Sequence, residues 1–264
     1  HNQSRRQRQM CIRDRITAIE MSAFYKDIRD LLAVQSIRYE SEKYGPSNYS
    51  IYMNKYYGNV KGYTFSLTKR YDPVSKTSAF VDYTYQVTEG NSVTSGSFYY
   101  NALSGEQEEK RIVPLAWDQR HILNTNVSVG DPRNWNLGII SKLSSGWPYT
   151  PNIPDANYVP QPNSGRKPWQ WRVDMRLHKN FKVGKLNYLV FMKVYNLLDR
   201  RNERYVFNDT GRAGYTYVFQ STQETQGFKN HYGEPGVHEW SEYQVRPHYY
   251  TAPRSINVGF SVDF

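Results

Sequence analysis

Residues Arg254 to Phe264 alternate without a slip. Ile256, Val258, Phe260, Val262 and Phe264 fall on one face of an extended chain, and Asn257, Gly259, Ser261 and Asp263 on the other. A strand repeats every two residues, so this stretch specifies one strand with an apolar face and a small, polar one. Two architectures use such a strand. In a soluble sandwich the apolar face packs on a second sheet and the polar face meets water; in a transmembrane barrel the apolar face meets lipid and the polar face lines the lumen. Chain ends of soluble domains usually fray into solvent, so an alternation closed by a terminal aromatic residue favours the barrel.

Composition narrows the choice. The 264 residues are 38% hydrophobic, and no run of about twenty apolar residues occurs, which excludes helical membrane spans. Barrels escape that test because only every second residue is apolar and polar loops dilute the average. The 24 Tyr and 16% aromatics suit headgroup-level girdles and binding surfaces equally.

The stretch Arg5-Arg6-Gln7-Arg8-Gln9-Met10-Cys11-Ile12-Arg13-Asp14 has no periodicity and reads, codon by codon, as the translation of a transposase sequencing adapter. Residues 1–15 are therefore set aside as a sequencing-adapter scar. The alternative is a basic tail for nucleic acid or anionic lipid. Cys11 is the single cysteine, so residues 16–264 hold no disulfide framework, zinc cluster or thiol nucleophile. The segment carries five Arg and one Asp, which reduces the formal charge of +10 to +6 for the remainder. Nucleic acid is not an expected partner.

From Ile16 the chain reads as hairpins. Expected strands run from Ile16 to Lys26, Val60 to Tyr71, Ser78 to Val87, His121 to Val129, Trp135 to Trp147, Trp171 to Val183, Leu186 to Leu197, and the final stretch. Tight turns are expected at Asp72-Pro73-Val74-Ser75, Gly130-Asp131-Pro132-Arg133-Asn134 and Gly184-Lys185. Long loops fill the other connections: from Asp27 past Gly45-Pro46-Ser47-Asn48, from Thr88 to Gln119 with the charged run Glu106 to Arg111, from Pro148 to Lys167, and from Asp199 to Ala252. In most central spans odd positions are apolar, and by the final strand even ones are. Leu186 to Leu197 is apolar on both faces, so its register stays open. Alternation of short and long connections matches outer-membrane barrels, with short turns on the periplasmic side and long loops outside. A sandwich has no reason to sort its loops this way.

At Val194-Tyr195-Asn196-Leu197-Leu198-Asp199 the chain resembles the V-x-N-L-F-D box of TonB-dependent outer-membrane receptors, with Leu198 where Phe is usual. Supporting segments follow in the family's order: Tyr25-Lys26-Asp27-Ile28, Gly58-Asn59-Val60-Lys61-Gly62-Tyr63-Thr64, Trp117-Asp118-Gln119-Arg120-His121, Ser145-Gly146-Trp147-Pro148-Tyr149-Thr150-Pro151 and Asp174-Met175-Arg176-Leu177-His178-Lys179-Asn180-Phe181. Phe260, Val262 and the terminal Phe264 resemble the assembly signal read by the barrel-assembly machinery. The resemblance covers residues 16–264. It implies an all-β fold, an antiparallel transmembrane β-barrel fragment of about eight strands from a barrel of roughly 22, forming the C-terminal portion without the plug domain. The implied activity is energy-coupled uptake of a scarce nutrient such as an iron chelate, cobalamin, glycan or peptide. Implied partners are lipid and lipopolysaccharide, the plug, a TonB-type coupling protein and the extracellular ligand. Another outer-membrane barrel, a passive channel or surface adhesin, is the alternative.

No constellation points to catalysis, and no cofactor or metal is expected. The six His are scattered, and Ser144-Ser145-Gly146 lacks the strand-to-helix elbow of a nucleophilic serine. Asp82, Lys142, Arg172, Asp174, Arg176 and Lys193 take the polar parity of their strands and are expected to face the lumen and hold the plug, or to pair across strands as a hydrated wall. Trp135, Trp171 and Trp147 suit the girdles. In the long loops, Trp147, Tyr149, Tyr158, Arg200, Arg201, Arg204, Tyr205, Arg212 and Tyr215 combine rings with guanidinium forks suited to an anionic chelate, a sugar or a peptide. The same residues suit lipopolysaccharide phosphates, or packing of the loops. Replacing Arg204 or Trp147 by Ala is expected to weaken uptake without changing barrel amounts.

Overall fold

The computed structural model describes residues 6–13, 16–41, 43, 45–91, 112–152, 160–217 and 246–263. These form one antiparallel meander and one small strand pair, without an α-helix among the described residues. The strands are β1 (Arg6–Arg13), β2 (Thr17–Ser41), β3 (Gly45–Asp72), β4 (Thr77–Gly90), β5 (Val113–Pro114), β6 (His121–Asp131), β7 (Trp135–Ser144), β8 (Pro148–Tyr149), β9 (Gly165–Arg166), β10 (Gln170–Val183), β11 (Leu186–Tyr195) and β12 (Ser255–Asp263). The sheet runs β1-β2-β3-β4-β6-β7-β10-β11-β12, with β5 on β4, while β8 pairs with β9 apart from it. The path is open, ending on β1 and β12.

The register confirms the parity. Met21, Phe65, Tyr83, Leu123, Leu143 and Trp171 line up across six strands. A lower line runs Val129, Leu137, Leu177, Met192 and Val258. Among the described residues no second sheet covers these rows. Ile139, Leu177 and Val190 are exposed, and Ile256, Val258 and Phe260 reach 59%, 70% and 77%. A sandwich would have buried them.

Rings border the rows at both ends. At the long-loop end, Tyr63 stacks on Tyr85, Tyr85 meets His121, and His121 stacks on Trp169 at 5.5 Å. At the other end Phe181 and Tyr188 lie 5.3 Å apart, close to Trp135 and the tight turns. From Trp171 to Phe181 along β10 is about 33 Å of strand, or about 25 Å of height at a tilt of roughly 40°.

The register of β11 is settled by its turn. Val183 pairs with Leu186 across Gly184-Lys185, odd with even, so the even residues Leu186, Tyr188, Val190, Met192 and Val194 join the apolar rows. Leu189 and Phe191 then fall on the polar side. Phe191 has a reason to be there: its ring covers Gly259, where an added Cβ would lie 2.5 Å from Cζ. Phe24 covers Gly62 in the same way.

Three expectations need correction. The segment after Lys26 is not a loop, because β2 continues to Ser41 and β3 begins at Gly45, forming a ribbon beyond the rest of the sheet. A double register shift between Ile28 and Leu32, with Asp30 at φ 61°, interrupts the alternation. Away from a core, backbone pairing and contacts such as Tyr39 on Tyr49 hold a hairpin without an apolar face. Second, β7 ends at Ser144, not Trp147. Ser145 donates its N–H to the His121 carbonyl and accepts the His121 N–H at Oγ, after which Gly146 presses against the Lys167 backbone. Third, β11 ends at Tyr195 because Asn196 takes φ 53°. Arg6–Arg13 pairs with β2; the edge of β2 offers unpaired backbone groups that any extended segment satisfies. Glu106 to Arg111, Tyr158 and Phe264 lie outside the described residues.

Candidate functional site

Buried side chains concentrate where the long connections meet, here called the rim. Tyr56, Val87, Val113, Leu115, Val206 and Ala213 are buried there. Asp118 is fully buried and receives hydrogen bonds from the Thr88 N–H at 2.8 Å, from Arg120 Nε at 3.3 Å and from Arg166 Nη2. Arg166 also donates to the Asp118 carbonyl at 2.6 Å. One carboxylate thus joins β4, the approach to β6, and β9. A buried carboxylate requires this many donors.

The Val194 to Asp199 box is a second fastening. Asn196 donates its N–H to Asp174 and its Nδ2 to the carbonyls of Arg200 and Ala252, while its Oδ1 accepts the Arg200 N–H. Asp199 accepts the Arg254 N–H at 2.8 Å. Both residues have positive φ, a conformation Asn and Asp tolerate better than most. The box therefore turns the chain out of β11 and fixes its return into β12.

The expected lumen residues do share one face. Asp82, Lys142 and Arg172 lie on one cross-strand line with Asn124, and Arg176 and Lys193 on another with Asn257. Asp82 accepts from Ser66 at 2.6 Å, and Arg172 donates to Asp174 at 2.9 Å. Arg176, His178, Asn180, Leu189, Phe191 and Lys193 border an open groove of about 420 Å³.

The expected loop residues divide. Arg212 is bound by Glu203 through both carboxylate oxygens, and Glu203 also accepts the Ala213 N–H, so this guanidinium fastens its own loop. Tyr149 lies in β8 against Gly165 and Gly211, the latter at φ 68° with no room for a Cβ. Burial, then the nearby Asp209 charge, pushes the Tyr149 phenol above its usual pKa. Arg200 is tied to Asn196 and donates to the Trp169 carbonyl at 3.2 Å. Trp147, Arg201 and Tyr215 are exposed, Tyr215 edge-on to Tyr217. Arg204 and Tyr205 come together with Lys167, whose ammonium lies 5.7 Å from the Tyr205 ring and donates to the Arg204 carbonyl. Burial pulls the Lys167 pKa below the usual range.

Sequence reasoning missed Asp118 with Arg166, Glu203, Lys167, Arg246 and Tyr249 as site-forming residues. Trp117-Asp118-Gln119-Arg120-His121 was visible as a motif, but its partner Arg166 is 48 positions away. Among the described residues no cluster of His, Cys, Asp and Glu is placed to hold a metal.

No protein-family model matches the chain, and no curated protein matches it in sequence. In structure it is similar to the crystal structure of the outer membrane transporter YddB from Escherichia coli, with a TM-score of 0.55 and 12% identity. The match covers 74% of this chain and 28% of that one. At this identity the likeness establishes the fold alone: an all-β antiparallel sheet of the kind that walls an outer-membrane barrel. The chain spans about 28% of the transporter's length.

Proposed function

We propose that this chain is the C-terminal part of the barrel wall of a TonB-dependent receptor in the bacterial outer membrane, and that the whole receptor takes up a scarce nutrient such as an iron chelate, cobalamin, glycan or peptide. The observation that carries the proposal is the uncovered apolar face, bordered by rings about 25 Å apart, the height of a barrel's lipid-facing band. Three supports join it. The three tight turns after β3, β6 and β10 fall at one end, opposite the short β2–β3 link, as tight turns do on the periplasmic side of such barrels. Asp82, Lys142, Arg172, Asp174, Arg176 and Lys193 keep to the opposite face, while Lys61, Lys69 and Lys179 take the apolar parity towards the strand ends. The fold is shared with an outer membrane transporter.

In this function the remaining strands close the barrel between β12 and β2, since no open edge persists in lipid. The row of Asp82, Lys142, Arg172, Asp174, Arg176 and Lys193 contacts the plug, and the TonB-type protein supplies energy through the plug. Phe260 and its neighbours in β12 engage the assembly machinery. Trp147, Arg201, Arg204, Tyr205 and Tyr215 are exposed rim residues offered to the nutrient.

Two measurements test this. In liposomes, lipids brominated near the headgroup should quench Trp135 and Trp171, and deep bromines should quench them less; no quenching would remove the membrane assignment. In cells, the receptor's nutrient accumulation should stop when an uncoupler collapses the proton gradient. Accumulation that continues unchanged would make the protein a passive channel instead.

A further inference from the structure

The register sets two cations side by side on the polar face of the wall. Arg176 on β10 stands directly opposite Lys193 on β11, and the same cross-strand line continues to Gly138 on β7 and Asn257 on β12. Neither of those neighbours carries a charge. Asp174, two residues from Arg176 on the same face, is already bound by Arg172 Nε at 2.9 Å and by the Asn196 N–H at 2.9 Å. Among the described residues neither Arg176 nor Lys193 is paired with a carboxylate. The Lys193 ammonium rests 5.1 Å from the centre of the Phe191 ring. Like charges directly opposite each other on an antiparallel pair are destabilising, so this stretch of wall is more stable with an anion on both side chains than without one.

Beside the cations lies a floor of different character. Leu189 and Phe191 are half-buried on the face that β11 otherwise gives to Asn187 and Lys193. Phe191 covers Gly259, but the line through Leu189 holds Asn180 and Ser261 and offers no glycine to cover. With Arg176, His178, Asn180 and Lys193 they border the groove of about 420 Å³, a size within the range of small-molecule sites, about 300–1,000 Å³. One border is fixed in place: Asn180 donates to the carbonyls of Pro132 and Arg133, and His178 to the Pro132 carbonyl at 3.3 Å. From Lys193 to Leu189 is about 13 Å along the strand. An inorganic anion satisfies the cations and leaves the floor bare; a hydrocarbon does the reverse.

We propose that this groove binds an amphipathic organic anion, its carboxylate bridging Arg176 and Lys193 and its apolar body lying on Phe191 and Leu189. The inference goes beyond the proposed function, since it needs only the register and the groove. It gives Arg176 and Lys193 a small-molecule partner and leaves Asp82, Lys142, Arg172 and Asp174 to the plug.

Equilibrium dialysis of the full chain in detergent, against detergent alone, tests this with 4-phenylbutyrate. The comparisons are 4-phenylbutylammonium, which has the same body and the opposite charge, and acetate, which has the head without the body. The chain should retain phenylbutyrate at least tenfold more than either. Arg176→Gln with Lys193→Gln should abolish the preference over the ammonium ion, Arg176→Lys should keep most of it, and Leu189→Ser should weaken phenylbutyrate severalfold without raising acetate. Equal retention of phenylbutyrate and phenylbutylammonium by the unaltered chain overturns the proposal, by showing apolar partition alone. Equal retention of acetate also overturns it, by marking a site for any small anion. An unchanged preference in the double Gln variant does the same, by placing the anion elsewhere. If Trp quenching by brominated lipid fails, the outer-membrane assignment falls and the groove is untouched; if the dialysis preference is absent, only this inference falls.

Discussion

The wall and the rim are built from the same chain by opposite means. In the wall, continuous backbone pairing joins neighbouring strands, with side-chain bonds such as Ser66 to Asp82 added to it, and the large apolar side chains turn outward. At the rim, apolar side chains turn inward, and single polar groups such as Asp118 and Asn196 fasten segments far apart in sequence. A lattice tolerates the loss of one side chain because its ladder remains. A hub with one acceptor for three donors does not.

The sharpest way to break this contrast is Asp118→Ala. It strands two guanidinium groups and the Thr88 N–H, at a cost of about 3–5 kcal/mol to the rim. Hydrogen exchange should show the amides of Thr88 and Leu115 losing protection while Val127 and Leu137 keep theirs; loss everywhere would mean that wall and rim are one cooperative unit. Next comes a charge placed on either face of the wall. Ile139→Arg should cost about 2–4 kcal/mol of folding in bilayers, since in the proposed barrel the apolar face meets the midplane. Asn126→Arg, on the other face, should cost under about 1 kcal/mol by the same reasoning, and equal penalties would erase the distinction between faces. Below Ile139→Arg comes Gly259→Ala, about 1–3 kcal/mol from overpacking against Phe191. The penalty should shrink in a Phe191→Ala background, and an unchanged one would separate the two residues.

The wall was legible in the sequence and the rim was not, for a physical reason. A two-residue period appears wherever one face must be apolar, so Trp171 to Val183 and the last strand show their sidedness plainly. Turns announce themselves through Asp-Pro and Gly, as at Asp72-Pro73 and Gly184. The β2–β3 ribbon carries its turn signal at Gly45-Pro46 but no clear period, because a hairpin standing clear of a core has no face to bury and the shift near Asp30 scrambles what alternation it has. Rim contacts depend on which loops meet. Asp118 with Arg166, or Lys167 with Tyr205, can be named only once β4, β6 and β10 are neighbours. Leu189 and Phe191 blurred the period for a third reason: a ring had to stand on the polar side to cover a glycine one strand away.

The two-residue link at Gly184-Lys185 joins an odd-faced strand to an even-faced one. A single codon gained or lost there would turn β11 inside out, moving Lys193 and Asn187 to the apolar face. The long connections are under no such arithmetic. Over evolutionary time, changes in length should therefore collect at the rim, and the tight turns at the opposite end should stay fixed in size even as their residues drift.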